Sequence, residues 1–152
     1  MFEYSMEQLF SFTGTLDAPQ FVGPVPEGLR IIFPMTGGVV SGPRLQGRIL
    51  PGGGDWMVGR RDGVAILDVR GTIETHDGAL VYMFYSGVGD LGEDGYEKAL
   101  RGEMPALLRL RTAPRLLTAH PAYAWLNRLQ CVGIGEAVTT ELRVGYDVYA
   151  LR

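Results

Sequence analysis

The sequence predicts an all-β fold: one closed or nearly closed antiparallel β-barrel over residues 1–152, carrying a single short helix. Two observations lead there. Apolar and polar residues alternate with period two along most of the chain, while helical periodicity is almost absent. The 152 residues include 22 glycines and 9 prolines yet are 46% hydrophobic, which fits many short strands joined by tight turns rather than disorder. Roughly eight to ten strands in one domain must protect their edges, and closing the sheet on itself does so most simply. A sandwich is the alternative.

Element by element, Gln8 to Leu16 reads as a first strand, with Phe10, Phe12 and Leu16 on one face. Gly28 to Phe33 is a second, ended by Pro34, and Thr36-Gly37-Gly38 is expected to turn the chain into a short Val39-Val40 segment. Leu45 to Leu50 follows, closed by Pro51-Gly52-Gly53-Gly54; Asp55 to Val58 comes next, with a hairpin turn at Arg61-Asp62-Gly63. The clearest hairpin joins Val64–Thr75 to Ala79–Val88 through His76-Asp77-Gly78, since Asp-Gly supplies the positive φ of a tight turn. Asp94 is placed to cap a helix over Gly95–Arg101, and Gly102 to end it. Met104–Thr112, Trp125–Val138 and Glu141–Leu151 complete the strands.

Charge and cysteine content exclude several classes. Fourteen Lys and Arg against 17 Asp and Glu give a net charge of −3, so nothing draws the molecule as a whole to phosphate backbones, and no nucleic-acid partner is expected. The single cysteine, Cys131, leaves no intramolecular disulfide and no multi-cysteine metal site, and reads as a small buried hydrophobe. His76 and His120 are far apart and lack a carboxylate pattern, so neither a metal nor another cofactor is expected. The N-terminal residues have no basic stretch followed by an apolar run, and no window is long and apolar enough to span a bilayer. The expectation is a cytoplasmic protein without a membrane partner.

Chemistry concentrates in Val64–Thr75. Alternation puts Ile66, Asp68, Arg70 and Thr72 on one face and Leu67, Val69 and Ile73 on the other. Asp68 and Arg70 then either form a polar spot in an apolar pocket or an outward pair on a solvated sheet; alternation alone favours neither. Asp55, after the glycine-rich loop, offers a second carboxylate at a strand mouth, or merely caps the turn. Tyr85 is a candidate hydrogen-bond donor. Asp68, Arg70, Asp55 and Tyr85 are thus the candidate catalytic set: carboxylates as acid or base, Arg70 and Tyr85 stabilising a developing oxyanion. Trp56, Tyr82, Trp125, Asn127 and Tyr149 are the candidate ligand contacts. For each aromatic, ordinary core packing competes, as a turn role does for Asn127. Arg101, Arg109, Arg111 and Arg115 are expected at a solvated rim, with Asp90–Gly102 as a lid.

Several segments together resemble an uncharacterised family, the domain of unknown function numbered 3237 (uncharacterised protein family 0311). They include Gly37-Gly38, Leu45-Gln-Gly47, Gly53-Gly-Asp55-Trp56, Leu67-Asp-Val-Arg70, Tyr85-Ser-Gly87, Tyr123-Ala-Trp-Leu-Asn127 and Tyr146-Asp-Val-Tyr149. The resemblance covers nearly the whole chain. It implies a barrel of the lipocalin or allene-oxide-cyclase-like kind, often oligomeric, and brings no settled activity. Leu116-Leu117-Thr118 departs from the Phe-Glu-Thr often found in members, so any role of that acid is absent or displaced here.

Three functions fit these readings. One is a cofactor-independent isomerase, cyclase or dehydratase acting on a small hydrophobic or aromatic metabolite. Another is a non-catalytic carrier or sensor of such a ligand, and a third is a solid structural barrel. All three are compatible with a homo-oligomer.

Overall fold

The computed structural model describes residues 2–152. Eleven strands form one antiparallel sheet: β1 (Met6–Leu16), β2 (Gln20–Val25), β3 (Gly28–Ser41), β4 (Gly47–Ile49), β5 (Gly54–Gly59), β6 (Val64–Thr75), β7 (Leu80–Asp90), β8 (Leu107–Thr112), β9 (Arg115–Leu117), β10 (Gln130–Val138) and β11 (Arg143–Leu151). The one α-helix among the described residues, α1 (Gly95–Leu100), lies between β7 and β8. Pairing runs β6-β5-β3-β1-β11-β10-β8-β7, and β7 pairs back to β6. That last pairing closes an eight-position barrel.

Two positions in the wall are each shared by two strands. β4 and β5 both lie between β3 and β6, separated by Leu50–Gly53. β8 and β9 pair β7 in one continuous register, Gly87↔Thr112 and Phe84↔Arg115, and are divided where Pro114 has no N–H to give the ladder. β2 is an outer flap on β3.

The longest pairing is the β6–β7 hairpin, in register from Val64↔Asp90 to Glu74↔Leu80. Its turn uses Gly78 at φ 86°, a conformation that costs glycine little. Along β6, Ala65, Leu67, Val69 and Ile73 are buried while alternate residues are part-exposed or exposed.

The sequence misplaces some boundaries. β3 does not stop at Pro34 or turn at Gly37-Gly38; it runs on to Ser41, pairing β1 and then β4. β2 was not expected. Trp125 begins no strand: Pro121–Arg128 is a 3-10 helix, started by a proline in its first turn, and β10 begins at Gln130. That 3-10 helix buries Leu126 and closes the barrel end formed by the starts of β1, β7 and β10. Phe10, Ile73, Val81, Met83, Leu116, Cys131 and Val148 fill the interior above it. Leu91, Tyr96 and Ala99 bring α1 into the same core from the opposite end. Among the described residues no helix is long and apolar enough to cross a membrane.

Candidate active site in the upper barrel

The barrel is solid at one end and hollow at the other. A cavity of about 60 Å³ opens between the ends of β1 and β10 and the starts of β8 and β11, with apolar walls that include Phe33, Met57, Leu67, Val69 and Leu110. Five polar residues are among its lining, Asp55, Tyr85, Tyr146, Thr139 and Arg143, and of these the two tyrosines are buried. Strand pairing sets two of them level: Asp55 lies opposite Val69, and Val69 opposite Tyr85. Tyr146 comes in from β11, beside the Tyr85 ring at 5.6 Å between centroids and stacked on Phe12 at 5.0 Å. Its ring lies over Gly135, where a Cβ would collide with it. Leu16, Met104, Leu142 and Arg143 form the rim.

Asp55 is the unusual group. Its pKa is pushed up to about 7, first by burial, because a charged carboxylate is poorly solvated among apolar walls. The bond that it accepts from the Asp68 N–H opposes the shift, the Asp68 carboxylate adds to it, and the Arg30 charge opposes it. The residue keeps partial exposure, so protons can exchange with solvent. Burial, foremost, also raises the Tyr85 and Tyr146 phenols, with the Asp55 charge acting the same way. Both therefore stay neutral donors when Asp55 titrates.

Asp55 is also threaded into the wall. The β5–β6 register is unchanged from Gly54↔Arg70 and Asp55↔Val69 to Val58↔Ile66 and Gly59↔Ala65, yet the two rungs between are missing. There the Asp68 N–H donates to Asp55 Oδ1 at 3.0 Å.

The remaining expected site residues lie elsewhere. Asp68 and Arg70 face outward, paired at 3.2 Å with side chains about half exposed, because the inward parity of β6 belongs to Leu67 and Val69. The interior reading of this pair is thereby corrected. Trp56 points outward beneath the Arg70 guanidinium, 5.5 Å from its ring centre. Tyr82 is 41% exposed and stacks on Phe84 on the outer wall. Tyr149 has the outward parity of β11, whose inward set is Tyr146, Val148 and Ala150. Trp125 packs at the closed end under Arg44. Asn127 bridges the backbone of Thr118, accepting its N–H at 2.8 Å and donating to its carbonyl at 2.9 Å. None of these five candidate ligand contacts lines the cavity.

Sequence reasoning missed Tyr146 and Arg30. Alternation with Val144 and Val148 was the signal for Tyr146, whereas Arg30 left none.

The family model for proteins of unknown function DUF3237 matches residues 4–151. The chain belongs to this family. Its DUF3237 relatives include a UPF0311 protein of Rhodopseudomonas palustris strain TIE-1, 34% identical over 143 residues, which make up 93% of this chain and 92% of that relative. A β-barrel-like protein from Acinetobacter baumannii superposes with a TM-score of 0.84 at 31% identity, over 99% of this chain and 97% of that one. An enzyme from Penicillium herquei has a TM-score of 0.70 at 19% identity, over 98% and 95% of the two chains, a likeness of fold alone.

Proposed function

We propose that the upper cavity takes one end of a small apolar or aromatic molecule, and that Asp55 moves a proton to or from it without a cofactor. Isomerisation, cyclisation and dehydration all need such a transfer. One observation carries the reading: a lone carboxylate poised at about pH 7 in an apolar cavity, beside two neutral phenols. A base or acid works best when its pKa lies near the working pH. Tyr85, with Tyr146 in place of Arg70, supplies the oxygen-binding donors, and a carbonyl or hydroxyl at their level would be held next to Asp55. The cavity holds the volume of a couple of waters, so it receives a ring edge or a short chain end, while the rest of the molecule lies on the rim. The Penicillium herquei protein that shares this fold is called an enzyme; catalysis here is argued from Asp55.

The test uses nitrobenzisoxazole, a flat aromatic probe. A base that removes its ring C–H proton breaks the N–O bond and leaves a coloured cyanophenolate. Turnover should rise with a midpoint near pH 7, vanish in Asp55→Asn, and survive Asp68→Asn. A non-catalytic carrier would bind the probe and show no Asp55-dependent turnover.

A further inference from the structure

One hydrogen bond is missing from the β5–β6 ladder, and both of its ends are occupied by side chains. Arg60 N–H donates to the Val64 carbonyl at 2.8 Å, which fixes the parity: residues 54, 56 and 58 turn their backbone groups toward β6. Trp56 and Asp68 therefore stand where a hydrogen-bonded pair belongs. The Asp68 N–H goes instead to Asp55 Oδ1, and the Trp56 carbonyl accepts from Arg30 Nη1 at 2.5 Å. Arg30 belongs to β3 and is itself held by Glu27, which accepts from Nη2 at 2.8 Å. A buried backbone group left unpaired is costly. Without Arg30, the Trp56 carbonyl and the Asp68 N–H have each other as the nearest remedy.

We infer that Arg30 is the positioning residue of this site: by capping the Trp56 carbonyl from outside, it holds the ladder open at the one missing hydrogen bond, where Asp55 is threaded. Its guanidinium touches no ligand. It acts through the wall, fixing one carboxylate oxygen in the ladder while the side chain lines the cavity. The role rests on the reading of Asp55 given above, but its consequences appear in the resting protein.

The experiment follows the Asp55 carboxyl and the Asp68 amide by NMR across pH, in the wild-type protein, Arg30→Met and Arg30→Lys. The groups that face Asp55 are Asp68 from β6, Arg30 from β3, Tyr85 from β7 and Tyr146 from β11, and Arg143 of β11 lines the same cavity. In the wild-type protein the Asp68 amide should shift with the same midpoint as the Asp55 carboxyl. In Arg30→Met the ladder should close: the Asp68 amide stops following Asp55, and the Asp55 midpoint rises by about one unit as it loses a donor and a nearby cation. Arg30→Lys, which keeps charge and a donor, should restore part of both. An Asp68 amide in Arg30→Met that still follows Asp55 at the wild-type midpoint would overturn the inference. If Arg30→Met does not fold, the wild-type guanidinium decides: held at the Trp56 carbonyl, its Nη protons give distinct, slowly exchanging signals, and rapid averaging would overturn the role equally. Absence of probe turnover in the wild-type protein, with its Asp68 amide following the Asp55 carboxyl and Arg30→Met uncoupling them, would remove the catalytic reading and leave Arg30's placement standing.

Discussion

Asp55 combines two demands that oppose each other. Its cavity penalises the charge, while the Asp68 N–H rewards it. The sign of the stability effect follows from the raised pKa. Between about pH 4 and 7 the folded protein holds a proton on Asp55 that the unfolded chain has released, so this residue's contribution falls as pH rises through that window and stays low above it. A shift from 3.8 to about 7 corresponds to about 4 kcal/mol at most, and partial solvent access reduces it to about 2 kcal/mol. Asp55→Asn keeps an oxygen for the Asp68 N–H and loses the charge. It should therefore stabilise the protein by that amount at pH 8 and hardly at all at pH 4, as thermal melts at the two pH values would show. Asp68→Asn should cost less than about 1 kcal/mol, because its pair with Arg70 is half exposed. It should also lower the Asp55 midpoint, by removing a like charge. The two aspartates were equally visible in the sequence. What separated them was strand parity, and parity became readable only once the outward set of β6 was known.

At the scale of elements, alternation located most strands and the β6–β7 hairpin, because a half-buried strand must alternate whatever it pairs with. It failed where tertiary pairing overrides local signals. Pro34 and Gly37-Gly38 look like a strand end, yet β3 continues through them because β1 and β4 supply partners on both sides. Trp125-Leu126-Asn127 looks extended, yet it forms a 3-10 turn that plugs the barrel end with Leu126. The cavity itself was not legible, since it depends on which inward residues are small. Gly135 is one of these: the Tyr146 ring occupies the space a side chain would need. Gly135→Ala should displace that ring and cost about 1–3 kcal/mol, the usual range for overpacking, measurable by urea denaturation together with the near-ultraviolet signal of the tyrosines.

On the scale of the whole molecule, the closed sheet leaves an outer strip of β7 and β9 with Leu80, Tyr82 and Leu117 exposed, by 55%, 41% and 38%. If a second copy of this chain covers that strip, Tyr82→Glu should lower the mass found by analytical ultracentrifugation and leave the Asp55 titration untouched. Unchanged mass would place any self-association on another face.

The two divided wall positions flank the same hairpin. β6 borders the β4/β5 break at Leu50–Gly53, and β7 borders the β8/β9 break at Pro114, while the hairpin between is the most continuously paired part of the barrel. The hairpin is thus a stiff panel hung between two hinges, and it carries Leu67, Val69 and Tyr85 on its inner surface. Were such a panel to swing outward as a unit, its own ladder would stay whole and the cavity would widen, the door being part of the wall. Amide hydrogen exchange should find the hinge amides at Gly52, Gly53 and Ala113 opening well before those of the β6–β7 ladder.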